Sequence, residues 1–260
     1  MTQHKILRKH GLSLLTIAGL SCASALPAQI AQVDYTSLTG TEFISFSDVV
    51  GGPPPGTNYD GILVVDGVAF GEHFAGQTVT PSGNFDVLSG TPMPGLTLMA
   101  GAAGQNLTFF QAPPGPVLSG NGPAGFPVSD AIGEGAVSLL FSSDQAEFGF
   151  RLAGGHSGTA TIGFFRVDGT LIQSIALNNL PLTAAFGFLR DGGVADVRGI
   201  SIWNEDLTGI GLAGLRHNVV SAIAPVPEPS TWATMLAGFG MIGFALRRRR
   251  RQSQAPAQFA

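Results

Sequence analysis

The sequence predicts an all-β fold, an antiparallel β-sandwich of jelly-roll type, on three observations. Short runs rich in Val, Ile, Phe and Thr recur through residues 42–215, as half-buried strands require. Gly, Pro, Asp and Asn separate these runs at intervals that suit tight turns. No long stretch ahead of Trp232 repeats its apolar residues with helical period. Roughly ten short strands so spaced argue two sheets packed face to face. Residues 26–224 suffice for one extracellular domain with a substantial core. The 37 glycines, 17 prolines and 12% charged residues would suit a disordered chain, but 18 phenylalanines and 44% hydrophobic residues supply surface to bury.

Taken in order, residues 42–47 alternate with period two around Phe43 or Phe46, and 51–56 reads as an exposed loop. Residues 61–70 place Asp66-Gly67 between two apolar runs, the strongest short-range hairpin signal. Residues 85–88 and 107–110 are further short strands. Five prolines and several glycines between 112 and 130 then predict a long surface loop. The second half is more regular, with strands expected at 137–141, 146–152 and 160–167. Asp168-Gly169 turns the chain into 170–177, and after Asn178-Asn179-Leu180-Pro181 come 185–189, 197–203 and 209–215.

Both ends read as address labels. Lys5, Arg8 and Lys9 precede an apolar run at 12–20 and the small residues Ala23-Ser24-Ala25, a secretory signal peptide over residues 1–25. The run is too short to serve as a spanning anchor. Leu20-Ser21-Cys22 resembles a lipoprotein cleavage box, but Gly19 stands where that pattern wants a large aliphatic residue. Because Cys22 is the sole cysteine, cleavage after Ala25 leaves a body without disulfides, held together by burial.

At the other end Pro227, Glu228 and Pro229 precede an uncharged run at 231–246, which Arg247, Arg248, Arg249, Arg250 and Arg251 close. The run is a short transmembrane helix, reaching roughly 24 Å against a hydrocarbon core of about 30 Å. Local thinning and snorkelling of Arg247 cover the difference. The arginines stay in the cytoplasm by the positive-inside rule, so everything ahead of Trp232 faces outward. The two prolines hold the tripeptide extended and open to a processing enzyme. Residues 252–260 read as a disordered tail.

Motif, apolar helix and arginines in this order over 225–251 resemble the PEP-CTERM sorting signal of Gram-negative bacteria, a tag recognised by an exosortase. The resemblance implies export across the inner membrane through signal peptidase and the general secretion machinery, transient anchoring, and cleavage near the tripeptide. Delivery to the cell surface or extracellular matrix follows. An ordinary single-pass tail anchor is the alternative, and the resemblance says nothing of the body. The second half separately resembles β-sandwich bodies common among such exported proteins, on the hairpin that runs from Phe164 through Asp168-Gly169 to Leu171.

Without its two labels the chain is strongly acidic. Residues 26–226 keep five arginines and no lysine against 16 acidic residues, a net charge of −11. Such a body is repelled by phosphate backbones, which excludes nucleic acid as a partner.

The sequence carries no Gly-x-Ser-x-Gly elbow, no His-Glu-x-x-His pair and no phosphate-cradling Gly-Lys-Ser/Thr loop, and it assigns no catalytic residue. His73 beside Glu72, His156 within 154–158, and His217 are the body's histidines. A Ser-His-acid hydrolase would require one of them to meet a serine and a carboxylate in a pocket. Asp66, Asp168 and Asp191 each precede glycine and read as turn residues. Glu205-Asp206 is a denser oxygen cluster, and structural calcium is the one cofactor left open, with no ligand set assigned. Trp203 follows Ile202 in an alternating strand, so parity leaves its face free to stack on a sugar, and it is the candidate ligand contact.

The expected function is that of an exosortase-processed surface or matrix protein, associated with exopolysaccharide and carrying a non-catalytic, carbohydrate-binding sandwich. The alternative is a secreted hydrolase acting on polysaccharide or ester substrates. A shallow aromatic face favours the first, and a pocketed histidine with carboxylate and serine the second.

Overall fold

A computed structural model describes residues 29–112 and 115–218. The expected signal peptide, the sorting tail with its apolar helix, and residues 252–260 lie outside the described residues. Within them the chain is all-β, its helical content limited to single 3-10 turns at Tyr35–Ser37, Ser129–Ala131 and Asp191–Gly193. No described helix is long and apolar enough to cross a membrane.

The larger sheet runs, edge to edge, Ile30–Val33, Thr183–Arg190, Glu147–Ala153, Gly211–Asn218, Gly115–Asn121, Leu107–Ala112 and Thr57–Tyr59. Glu42–Ile44 adds to the C-terminal half of Gly211–Asn218, and Ile132–Gly135 to Gly115–Asn121. The smaller sheet runs Leu171–Asn178, Thr159–Phe165, Val197–Asn204, Val137–Gln145, Val68–Gly71 and Leu63–Val65. Every one of these ladders is antiparallel.

Period-two alternation explains why the sheets stack. Phe148, Phe150 and Leu152 point inward from Glu147–Ala153 and join Phe188, Leu139, Phe141, Ile162, Phe164 and Ile200 in one buried cluster drawn from both sheets. Ring contacts bridge the layers, Phe141 to Phe148 at 5.8 Å and Phe164 to Phe188 at 5.3 Å. Each such ring contributes about 1.5–3 kcal/mol when fully buried. A single apolar layer shared by two antiparallel sheets is the arrangement a β-sandwich requires. The Asp66-Gly67 hairpin forms as expected: Val65 pairs with Val68, and both turn residues take positive φ, +48° and +78°.

Three expectations are corrected. Part of the presumed loop at 112–130 is the strand Gly115–Asn121, with Leu118 opposite Phe109. Its Val117 and Leu118 are buried, and Pro116 stands close to the strand's start, where a missing N–H is tolerated. The strand expected over 42–47 ends at Ile44, because Phe46 takes φ +58° and turns into the core against Phe70 and Phe109. Finally, nineteen strands rather than ten are present among the described residues. Several belong to a third layer: His73–Phe74 pairs with Leu98–Met99, and Thr78–Ser82 with Phe85–Ser89. Phe74, Leu96, Leu98 and Phe165 form a second apolar cluster against Ala69 and Leu140, on the outer side of the smaller sheet. Outward-pointing Ser138 and Ser201 are buried there and satisfy each other, their Oγ atoms 2.8 Å apart.

Candidate functional site

The outer face of the larger sheet carries an aromatic and arginine cluster. Alternation sends Arg151 and Arg216 away from the core, since Phe150 and Leu215 beside them point in. Register then sets each arginine across from a glycine, Arg151 opposite Gly214 and Arg216 opposite Gly149. The glycines leave room for chain to lie on the sheet. A Cβ on Gly149 would come within 2.4 Å of Leu38 Cδ1 and 2.9 Å of Tyr35 Cδ2, and one on Gly214 within 3.1 Å of Phe43 Cζ. Only a bare backbone admits the Tyr35–Ser37 turn at Gly149, whereas a Cβ at Gly214 would make the exposed Phe43 ring give way slightly.

The Arg151 guanidinium sits 5.6 Å from the Tyr35 ring centre and 5.4 Å from that of Phe43, and Arg216 sits 5.6 Å from Tyr35. These are cation–π distances. Arg216 Nη1 also donates to the Leu38 carbonyl at 3.3 Å, which ties the turn to the sheet. Phe43 is 45% exposed and Arg151 is exposed as well. Phe43, Arg151, Pro116, Thr183 and Ala185 border an open hollow of about 360 Å³. Chemically, the exposed Phe43 ring offers an apolar plate to the C–H face of a sugar, and the Arg151 guanidinium offers a planar fork of donors to its oxygens.

Other arginines serve the fold. Arg190, buried, grips Asp196 with Nε and Nη2 at 2.7 and 2.8 Å, Arg166 Nε donates to the same carboxylate at 2.9 Å, and Arg198 Nε reaches Asp144 at 2.8 Å. Burial pushes the Asp196 carboxyl up, but the hydrogen bonds and charges of Arg190 and Arg166 outweigh it and hold it below its usual value.

Trp203, the contact expected from sequence, is half-buried on Val197–Asn204 with Thr161 as cross-strand partner. It faces away from the core on the smaller sheet, so the structure does not bring it to the hollow. The histidines do not converge either. His73 Nδ1 lies 2.8 Å from Glu72 Oε2, and His156 is exposed. His217 is buried 5.3 Å from the Phe141 ring; burial pushes its pKa down, and neither ring nitrogen has a hydrogen-bond partner among the described residues. No histidine is hydrogen-bonded to a serine hydroxyl among the bonds of the described residues.

Of the Glu205-Asp206 pair, Asp206 acts on the backbone, and Glu205 is exposed. Asp206 is fully buried, and its Oδ2 accepts the N–H groups of His156 and Gly158, both at 2.7 Å, while Oδ1 accepts Thr208 N–H at 3.2 Å and Thr208 Oγ1–H at 3.0 Å. Burial raises this carboxyl's pKa, yet those N–H donors prevail and hold it low. Gly158 is needed here, since a Cβ would strike Asp206 Oδ2 at 2.5 Å. The loop at 154–158 is therefore shaped around a carboxylate. Among the described residues no group of three or more His, Cys, Asp or Glu gathers as a metal-ligand set.

Two buried carboxyls escaped the sequence reading. Asp86 is pushed up to about 7 by burial and by the charge of Glu72, with the Ala136 backbone and His73 opposing. Glu134 rises to about 6 through burial and the charge of Asp130, with Asn84 opposing. Tyr35, Phe43, Arg151 and Arg216 were likewise missed as site residues. Their signal was present: Gly149-Phe150-Arg151 and Gly214-Leu215-Arg216 are two Gly-x-Arg triplets whose outer positions share a face.

Comparison with known proteins bears on the tail. The PEP-CTERM protein-sorting motif matches residues 225–250. No curated protein matches the chain. Among solved structures, one similar chain is described as an X-ray crystal structure of a non-crystalline cellulose specific carbohydrate-binding module, CBM28. Identity is 13%, over 43% of this chain and 76% of that one, with a TM-score of 0.23, and a likeness so low carries no argument. Residues 225–250 are thus a PEP-CTERM protein-sorting motif, which implies an exported protein with an exosortase as its processing partner.

Proposed function

We propose that this is a cell-surface or extracellular-matrix protein, held transiently in the inner membrane by its tail, cut near Pro227-Glu228-Pro229, and carrying a non-catalytic, polysaccharide-binding jelly roll. The sorting motif supports the export half. From Val137–Gln145 onward the strands cross repeatedly between the two sheets, with only Thr159–Phe165 and Leu171–Asn178 adjacent in one, and this supports the jelly-roll reading. The observation that carries the binding half is that exposed Phe43 and Arg151, packed together, border an open hollow, with Tyr35 against the same guanidinium. Trp203, on the opposite face, is the second candidate contact.

Two measurements test this. Intact-mass analysis should show loss of residues 1–25 whether or not the exosortase is present, and loss of the segment beyond Glu228 only in cells that possess it. An unprocessed tail in the wild type would remove the sorting reading. Glycan-array binding of the processed protein should fall about tenfold on Phe43→Ala, equivalent to roughly 1.4 kcal/mol, and hold for Trp203→Ala. The reverse pattern would move the site to the smaller sheet.

A further inference from the structure

We infer that the hollow selects a carboxylate-bearing sugar, a uronate unit of an acidic polysaccharide, with the Arg151 guanidinium as the group that reads the carboxylate. This rests on the polysaccharide-binding reading and names the substrate class for its site.

The argument is one of charge placement. The body carries five arginines against 16 acidic residues. Arg166 and Arg190 share Asp196, and Arg198 is paired with Asp144. Arg151 and Arg216 have no carboxylate partner within salt-bridge distance among the described residues, and both lie on one face against one ring, Tyr35. Arg216 spends donors on the Tyr35 and Leu38 carbonyls, which leaves Arg151 as the open fork. In a chain with this excess of acid, two neighbouring cations without acidic partners mark a place where the counter-charge comes from outside. A guanidinium packed against two rings presents a planar fork for two parallel N–H···O bonds to a carboxylate. The exposed Phe43 ring beside it matches the C–H face of the same sugar. The body's net charge of −11 repels a polyanion elsewhere, so recognition is confined to this hollow rather than spread over the surface.

The test is calorimetric titration of the secreted, processed protein with a panel of oligouronates of differing linkage, each beside its carboxyl-reduced neutral counterpart. The wild type should bind at least one oligouronate tenfold or more tighter than its neutral form. Arg151→Gln should abolish that preference, lowering the oligouronate affinity at least tenfold more than the neutral-sugar affinity, and Arg151→Lys should restore only part of it, since an ammonium lacks the fork. Arg151 is exposed, and an unchanged melting temperature in both variants confirms that the fold is intact. Equal affinity for charged and neutral forms, or a preference that survives Arg151→Gln, overturns the carboxylate assignment and leaves the polysaccharide reading standing. Binding of neither form overturns both.

Discussion

At the scale of single residues, buried and half-buried carboxyls divide into two groups with opposite effects. Asp206 and Asp196 are held low by N–H donors and arginines. Their stabilisation is present above the unfolded carboxylate pKa of about 3.9 and is lost as pH falls through the folded value. Asp86, near 7, and Glu134, near 6, do the reverse: the folded state retains protons that the unfolded chain releases, so stability falls as pH rises from about 4 through 7. Buried His217, its pKa lowered, works in the opposite sense and favours the fold as pH rises through about 6.5, so the test is a difference: Asp86→Asn should raise the melting temperature at about pH 8 relative to its value at about pH 5, compared with the wild type. A variant whose pH profile parallels the wild type's would contradict this account. Asp206→Ala should cost about 3 kcal/mol in urea denaturation, because it strands buried backbone donors of the 154–158 loop.

At the scale of elements, the glycines that oppose Arg151 and Arg216 determine whether the site exists. Gly149→Ala would drive a Cβ into Leu38 and to 2.9 Å from the Phe186 carbonyl. The Tyr35–Ser37 turn should lift off the sheet, with about 1–3 kcal/mol lost in stability and a drop in glycan affinity as Tyr35 leaves Arg151. Gly61→Ala, where a Cβ meets nothing within 4 Å, is the control, and similar effects in both variants would refute the packing argument. The same elements show what sequence could convey. Strands between 137 and 215 were legible because each alternates cleanly and is closed by a turn residue such as Asp168-Gly169. Gly115–Asn121 was not, because its proline and glycines mimic a loop while its position inside the sheet depends on a partner distant in sequence, Leu212. Of the third layer only Phe85–Ser89 was legible, expected over 85–88, while His73–Phe74 and Leu98–Met99 are two-residue strands that exist only through each other. The Gly-x-Arg triplets were visible, but that each glycine faces the other's arginine is a fact of register, and no single triplet encodes it.

At the scale of the whole molecule, the position of the last described strand constrains when the body can form and where it can be cut. Gly211–Asn218 lies inside the larger sheet, paired with Glu147–Ala153 on one side and with Gly115–Asn121 and Glu42–Ile44 on the other. Glu147 pairs with both Asn218 and Leu189, and Ile30 pairs with Arg190. The chain therefore enters and leaves at the same pole, while Ala153, Thr183 and Gly211 mark the other. The Thr183 side of the hollow lies toward that far pole, away from the end to which the sorting tail is joined. The sheet cannot close until residue 218 has emerged, since long-range pairing must await its partner. A cut near Pro227-Glu228-Pro229 spares every described pairing. Truncation after Ala224 should accordingly leave melting temperature and glycan binding unchanged. Truncation after Gly209 should abolish the cooperative transition, because it removes an interior strand and exposes unpaired edges on both sides. A cooperative melt in that shorter chain, measured by circular dichroism, would show that the interior strand is dispensable and that folding does not wait for the chain beyond Gly209 to clear the membrane.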